Sequence, residues 1–208
     1  GYTSVTLSKE IYAQRFDHVG AKVGSQIQVN EVTTGEQSNP MITGLSNGGF
    51  VITWHSFESG VYPDVWAQVF DQDGVKVGSP FMVNSYTSYA QYSPVIESLS
   101  DGGFIIVWHD SHQGTSGYGI YAKIYDNNGA IRVPEFQVHS LNSASNYDHL
   151  LPGVASLTNG YVFIVWQVGD LSESNYHTYA RKFDNNGNAQ GIEFQVNTDA
   201  STDNTFPV

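Results

Sequence analysis

Apolar residues occur in short runs separated by turns rich in glycine and asparagine, and no window repeats them at helical spacing. Residues 104–108 are apolar throughout, which predicts a strand covered on both faces. Residues 120–125 mix apolar and polar side chains, which predicts a strand nearer the outside. The turns supply positive φ angles, as tight hairpins require. The pattern predicts an all-β chain of short antiparallel strands.

One sequence pattern occurs four times along the chain. Each copy starts with Tyr-Ala or Trp-Ala and reaches an aspartate five residues later, at 12–17, 66–71, 121–126 and 179–184. The aromatic residues of successive copies are 54, 55 and 58 positions apart. A Gln-Val-Asn-like segment and a proline follow each copy, and an apolar run ending in Trp54, Trp108 or Trp166 follows the first three. This spacing identifies an internal repeat.

One repeat predicts four strands. In the second copy these are residues 94–99, 104–109, 120–125 and 136–138. Four-stranded units of about 50 residues, each packed between neighbours, are the blades of a β-propeller. Since 208 residues are close to four repeats, we predict a four-bladed antiparallel β-propeller. The tryptophans that end the apolar strands are expected to lie in its core.

The two ends of the chain predict ring closure. Residues 1–7 align with a second strand, and 206–208 begin a first strand. One domain, 1–208, would then hold the repeat units 1–39 plus 205–208, 40–93, 94–151 and 152–204. Two alternatives to a closed ring are a fragment of a longer repeat array and a homodimer in which a second copy pairs with the free edge of residues 205–208. The chain starts at Gly1 without a signal-peptide pattern, so we expect a mature or excised piece.

Three segments of the repeat carry a resemblance to known proteins. They are Asp-Gly-Gly-Phe-Ile-Ile-Val-Trp at 101–108, Tyr-Ala-Gln-Arg-Phe-Asp at 12–17 and Glu-Phe-Gln-Val-Asn at 193–197. They resemble repeats of very large secreted bacterial proteins, which often also carry haemolysin-type (RTX) calcium repeats and adhesin modules. The resemblance covers nearly the whole chain and implies a secreted, cell-surface location. It implies little about activity, because a fold does not fix a function.

Composition excludes several classes of partner. The sequence contains 8 Lys and Arg against 20 Asp and Glu, a net charge of −12. The basic surface that nucleic-acid binding needs is therefore missing. No apolar run approaches the roughly 20 residues of a membrane span, so membrane insertion is not expected. The chain has no cysteine, which excludes disulfides and thiolate metal sites.

Metal binding has two candidate locations. Asp71-Gln-Asp-Gly resembles the start of a calcium loop, with Asp71 and Asp73 as ligands and calcium as the one cofactor considered. The other copies lack the second carboxylate, so a β-turn in which aspartate accepts backbone N–H groups is the alternative. His55 and His109 follow tryptophan at matching positions and would suit zinc if they converged.

Ligand-binding candidates lie in or beside the polar loops, because propeller loops at one rim vary freely on a rigid frame. Trp66 replaces tyrosine in its repeat and would stack on a sugar or pack between strands. The other candidates are Tyr62, Asp110, His112, Tyr118 and Tyr176. Such side chains recognise polyols, but they are also common in any solvated loop.

No motif of a nucleophile elbow, zinc protease, phosphate loop or dinucleotide site is present. Carboxylate pairs for glycoside hydrolysis carry no motif, since the fold sets their separation. We therefore expect a non-enzymatic extracellular module that binds carbohydrate or another surface in the manner of a lectin. A structural spacer without a ligand and a metal-binding propeller are the alternatives.

Overall fold

The computed structural model describes residues 9–58, 60–111, 117–140, 147–170 and 176–197, apart from the side chains of residues 147 and 170. Within these ranges the chain forms strands and turns, and none of them contains a helix suited to crossing a bilayer. The strands are β1 (Tyr12–Phe16), β2 (Lys22–Gln28), β3 (Gln37–Gly44), β4 (Phe50–Ser56), β5 (Asp64–Phe70), β6 (Lys76–Met82), β7 (Gln91–Ser98), β8 (Phe104–Ser111), β9 (Tyr118–Tyr125), β10 (Ile131–Gln137), β11 (Tyr147–Ser156), β12 (Tyr161–Asp170), β13 (Tyr176–Asp184) and β14 (Phe194–Gln195).

The described strands form antiparallel sheets in chain order. Sheet I contains β1 and β2, sheet II β3 to β6, sheet III β7 to β10 and sheet IV β11 to β14. Strand β7 contacts β3 and β4 of the preceding sheet, and β11 contacts β7, β8 and β9. The sheets thus pack against one another through their first strands, as propeller blades do. The predicted all-β antiparallel architecture is confirmed.

The apolar core lies between successive sheets, in one cluster for each pair of neighbours. Trp54, Trp108 and Trp166 are at most 2% exposed, so their predicted core position is confirmed. Burial of each contributes about 2–3 kcal/mol. Each indole N–H also donates to the first strand of its own sheet, which satisfies a buried donor. These bonds join Trp54 to Gln37 (3.1 Å), Trp108 to Gln91 (2.9 Å) and Trp166 to His149 (3.0 Å).

The first strand of each four-stranded sheet carries a bulge at the same place. Asn39, Ser93 and Leu151 have φ angles of 53°, 48° and 49°, and each precedes a proline. The pairing register between the first and second strands shifts at these positions. A bulge lets the strand continue past a residue that lacks an N–H donor.

Two cations at matching positions of β9 and β13 connect neighbouring sheets. Lys123 donates from Nζ to the Val83 carbonyl (2.8 Å) and to Ser85 Oγ (3.3 Å) of the sheet before it. Arg181 donates from Nη1 to the Val138 carbonyl (2.8 Å) in the same way. In sheets I and II a glutamine holds the equivalent position and bonds to its own sheet; these residues are Gln14 and Gln68.

Candidate functional site

Polar side chains gather at one end of the sheets, which we call the rim. There β3, β7 and β11 begin and β4, β8 and β12 end, so that Gln37 pairs with Ser56 and Gln91 with Asp110. The loops between second and third strands leave from the same end. The rim therefore brings side chains from several sheets together, as ligand-binding ends of propellers do.

A row of four rings crosses the rim from sheet II to sheet III. Ring centroids lie 5.9 Å apart for His55 and Tyr92, 5.7 Å for Tyr92 and His109, and 5.7 Å for His109 and Tyr118. Beyond the last ring, Asp148 of sheet IV accepts the backbone N–H of Tyr118 at 3.2 Å. We call these four residues the histidine–tyrosine row. Strand alternation places it opposite the tryptophans, as the sequence indicated.

Both imidazoles of the row are uncharged at neutral pH. Burial lowers the pKa of His109 to about 4, with a further contribution from His55. Burial also lowers the pKa of His55, against the opposing effect of Glu36. The buried Nδ1 atom of each ring has no hydrogen-bond partner among the described residues. The row thus presents its half-buried tyrosines, rather than the buried imidazoles, to the rim.

Two glutamates lie at the rim end of sheet II, and their environments shift their pKa values in opposite directions. A hydrogen bond from Lys9 (2.7 Å) lowers the pKa of Glu36. Burial raises the pKa of Glu58, and the charge of Asp64 raises it further. The Glu36 carbonyl accepts the N–H of Phe57 at 2.9 Å, which holds the two glutamates on one corner of the sheet. We call Glu36 and Glu58 the carboxylate corner.

Ser38 connects the carboxylate corner to the row. Its Oγ lies 3.1 Å from Glu36 Oε1 and 2.8 Å from His55 Nε2. A Cβ added to Gly35 would lie only 2.6 Å from the carbonyl oxygen of Phe57, so the loops that carry these two residues pack tightly. Glu36, Ser38 and His55 therefore form one hydrogen-bonded unit.

The predicted ligand residues divide between the rim and the packed interior. Tyr62 lies exposed in the loop after β4, and Tyr118 ends the row. Asp110 is buried and accepts a hydrogen bond from Gln91. Trp66 is half-buried in β5 opposite Trp54, within the core between sheets I and II. Tyr176 packs its ring on Gly169 at the rim of sheet IV, and His112 falls outside the described residues.

The turn aspartates lie at the end opposite the rim. Asp71 Oδ1 accepts the N–H groups of Asp73 (2.9 Å) and Val75 (2.8 Å), so this carboxylate closes a turn. Equivalent bonds form in the other three repeats, at Asp17, Asp126 and Asp184. No group of three His, Asp or Glu side chains suited to a metal occurs in the described ranges. Calcium at Asp71 and Asp73 remains a prediction.

Glu36, Glu58 and Tyr92 were not predicted from the sequence. Ser38 links Glu36 to His55, and the ring of Tyr92 packs between the two histidines. One sequence signal could have revealed Tyr92: His55 and His109 occupy matching repeat positions, and the residues that pair with them on the first strands, Ser38 and Tyr92, lie at the same rim. The sequence also did not predict the stacked pair His139 and His149, whose centroids are 3.9 Å apart between sheets III and IV.

Comparisons with known proteins found likeness at the level of fold. No family model and no curated protein matches the chain. An α-L-arabinanase of Penicillium chrysogenum, solved with arabinobiose, aligns at a TM-score of 0.68 and 14% identity, covering 97% of this chain and 62% of that one. An endo-arabinase of Bacteroides thetaiotaomicron gives 0.56 and 11%, covering 93% and 75%. A GH93 α-L-arabinofuranosidase of Fusarium graminearum gives 0.56 and 10%, covering 83% and 55%.

Three of the neighbours are named as an arabinanase, an endo-arabinase and an arabinofuranosidase. This finding corrects the expectations of a non-enzymatic, lectin-like module and of a chain that is not an enzyme. A carbohydrate ligand, in contrast, fits neighbours that act on carbohydrate. At 10–14% identity the likeness itself establishes the fold alone, so the chemistry has to come from the rim.

Proposed function

We propose that this protein is a glycoside hydrolase acting on arabinose-containing glycans, with its active site at the carboxylate corner. The observation that carries the proposal is the opposite displacement of two neighbouring carboxyl pKa values, raised at Glu58 and lowered at Glu36. Glycoside hydrolysis needs one protonated and one ionised carboxyl group at the same bond. The fold neighbours named above support the choice of arabinose.

Glu58 is the general acid in this proposal. Its partly buried carboxyl retains its proton to higher pH and donates it to the departing glycosidic oxygen. Glu36 is the ionised partner, and its side chain is 43% exposed. This exposure leaves room for a water molecule, which Glu36 activates for attack on the sugar carbon.

The histidine–tyrosine row forms the floor on which the sugar rests. Tyr92 and Tyr118 are its half-buried rings, and the buried, neutral imidazoles of His55 and His109 pack against Tyr92 on either side. Aromatic side chains line most small-molecule sites. Ser38 fixes the side chain of Glu36 relative to His55, because its Oγ contacts both of them.

The test is hydrolysis of arabino-oligosaccharides by the parent and by Glu58→Gln and Glu36→Gln. Loss of the acid is expected to lower kcat by roughly 100-fold or more. Glu31→Gln is the matched control, because Glu31 is also an exposed glutamate paired with a lysine, Lys76 (3.6 Å). Activity should fall at high pH as Glu58 ionises and at low pH as Glu36 gains a proton. Full activity in both corner variants would refute the proposal.

A closed four-bladed ring is the proposed complete architecture. Sheet I has two described strands, and the repeat supplies its missing strands from 1–7 and 205–208, which lie outside the described residues. We propose an extracellular location as well, since a polymer substrate is met outside the cell. A crystal structure of the full chain tests closure, and a ring left open or completed by a second copy would refute it.

A further inference from the structure

Three tyrosines form a strip on the loops between sheets II and III. Tyr62 comes from the loop after β4, and Tyr86 and Tyr89 come from the loop before β7. Ring centroids are 5.9 Å apart for Tyr62 and Tyr89 and 6.2 Å for Tyr86 and Tyr89. Tyr62 is 45% exposed and Tyr89 40% exposed. We call these three residues the tyrosine strip.

Buried amides hold the backbone of the strip in place. Asn84 donates to the Tyr86 carbonyl (2.9 Å), and Gln91 donates to the Tyr89 carbonyl (3.1 Å). Both amide side chains are at most 4% exposed. The backbone N–H of Gln91 also donates to the Pro63 carbonyl (2.8 Å), which ties the two loops together. Solvent-exposed rings on a fixed backbone bind a ligand with little ordering cost.

The strip lies close in sequence to the proposed acid and to the row. Tyr62 and Glu58 belong to the same loop, between β4 and β5. On the other side, Tyr92 follows Tyr89 by three residues and joins the histidine–tyrosine row. The loops that carry the strip therefore also carry residues of both parts of the proposed site.

Successive rings of the strip are turned relative to one another. The interplanar angle is 48° between Tyr62 and Tyr89 and 29° between Tyr86 and Tyr89. Aromatic faces stack on the C–H faces of sugars, and a flat crystalline glycan needs coplanar rings. We infer that the tyrosine strip binds successive sugars of a soluble, twisting chain such as arabinan. This inference rests on the proposed function for the identity of the sugar.

The test measures binding apart from turnover, in the Glu58→Gln background. Affinity electrophoresis in gels containing soluble arabinan compares this protein with versions that add Tyr62→Ala, Tyr89→Ala or both. We expect binding about fivefold weaker for each ring removed. Tyr12→Ala is the matched control, because Tyr12 is 52% exposed on β1, away from these loops. Microcrystalline cellulose should retain none of the proteins.

Each result bears on one proposal. Unchanged retardation in the double variant would overturn the inference, as would equal weakening by Tyr12→Ala or firm retention on cellulose. In the Glu58-containing protein, the double variant should lose kcat/KM on polymeric arabinan and keep it on a small chromogenic arabinoside. If the parent cleaves neither substrate but the strip variants still lose binding, the hydrolase proposal fails and the strip stands.

Discussion

Replacing His149 with glutamine should change how stability depends on pH. His149 takes the position that glutamine holds in sheets II and III, where Gln37 and Gln91 accept the tryptophan N–H. In His149 the acceptor is Nδ1, and the opposite atom, Nε2, is buried without a partner among the described residues. His149→Gln therefore keeps the bond to Trp166 while it removes a titrating group.

The magnitude follows from the displaced pKa. Burial, followed by the charge of His139, lowers the pKa of His149 to about 3, from 6.5 in an unfolded chain. As the pH falls below 6.5, the unfolded chain gains a proton that the folded protein does not, so acid favours unfolding. Between pH 7.5 and 4.5 this one histidine removes about 2.7 kcal/mol from the free energy of unfolding. The loss is absent above the unfolded pKa.

Urea unfolding at pH 7.5, 6.0 and 4.5 measures the effect. The variant should gain about 2.7 kcal/mol relative to the parent as the pH falls over this range. His18→Gln, in an exposed turn, controls for loss of a surface histidine. A stability difference between His149→Gln and the parent that stays constant with pH would refute the argument, because it would mean that burial does not keep His149 neutral.

Three further tests concern the stability of the strands, turns and core. Ser93→Gly should stabilise the protein by about 1 kcal/mol, since φ is 48° there, and should gain more than Asn39→Gly, because asparagine already tolerates this conformation; thermal unfolding measures both. Gly49→Ala should cost about 2 kcal/mol, because its Cβ would lie 2.4 Å from a strand carbonyl, whereas Gly44→Ala, with open space, should not. Trp108→Phe should cost about 2 kcal/mol in urea unfolding, since a buried glutamine loses its 2.9 Å donor.

The sequence predicted the strands well and their first residues less well. The strand predicted at 94–99 is Gln91–Ser98 in the structure, because the bulge at Ser93 carries the strand past Pro94. The fourth strand, predicted at 136–138, begins at Ile131. Pro134 is tolerated inside it because β10 is an edge strand, where a missing N–H breaks no bond between strands.

The site was less predictable than the fold, because its parts come from different sheets. Periodicity placed His55 opposite the tryptophans, but it carries no information on which ring of sheet III lies next to it. That ring is Tyr92, and its distance depends on how sheets II and III pack. Trp66 shows the same limit: its strand position was open to solvent or packing, and its burial depends on the neighbouring sheet.

The two cations that join the sheets also shape the protein's long-range electrostatics. Lys123 and Arg181 take two of only eight basic side chains into contacts between sheets, so little positive charge remains to offset the 20 Asp and Glu side chains of the protein. A polymer rich in uronic acid is therefore repelled over a Debye length, about 8 Å at physiological ionic strength. Uncharged glycans approach freely, and added salt should speed encounters with polymers that carry both charged and uncharged segments.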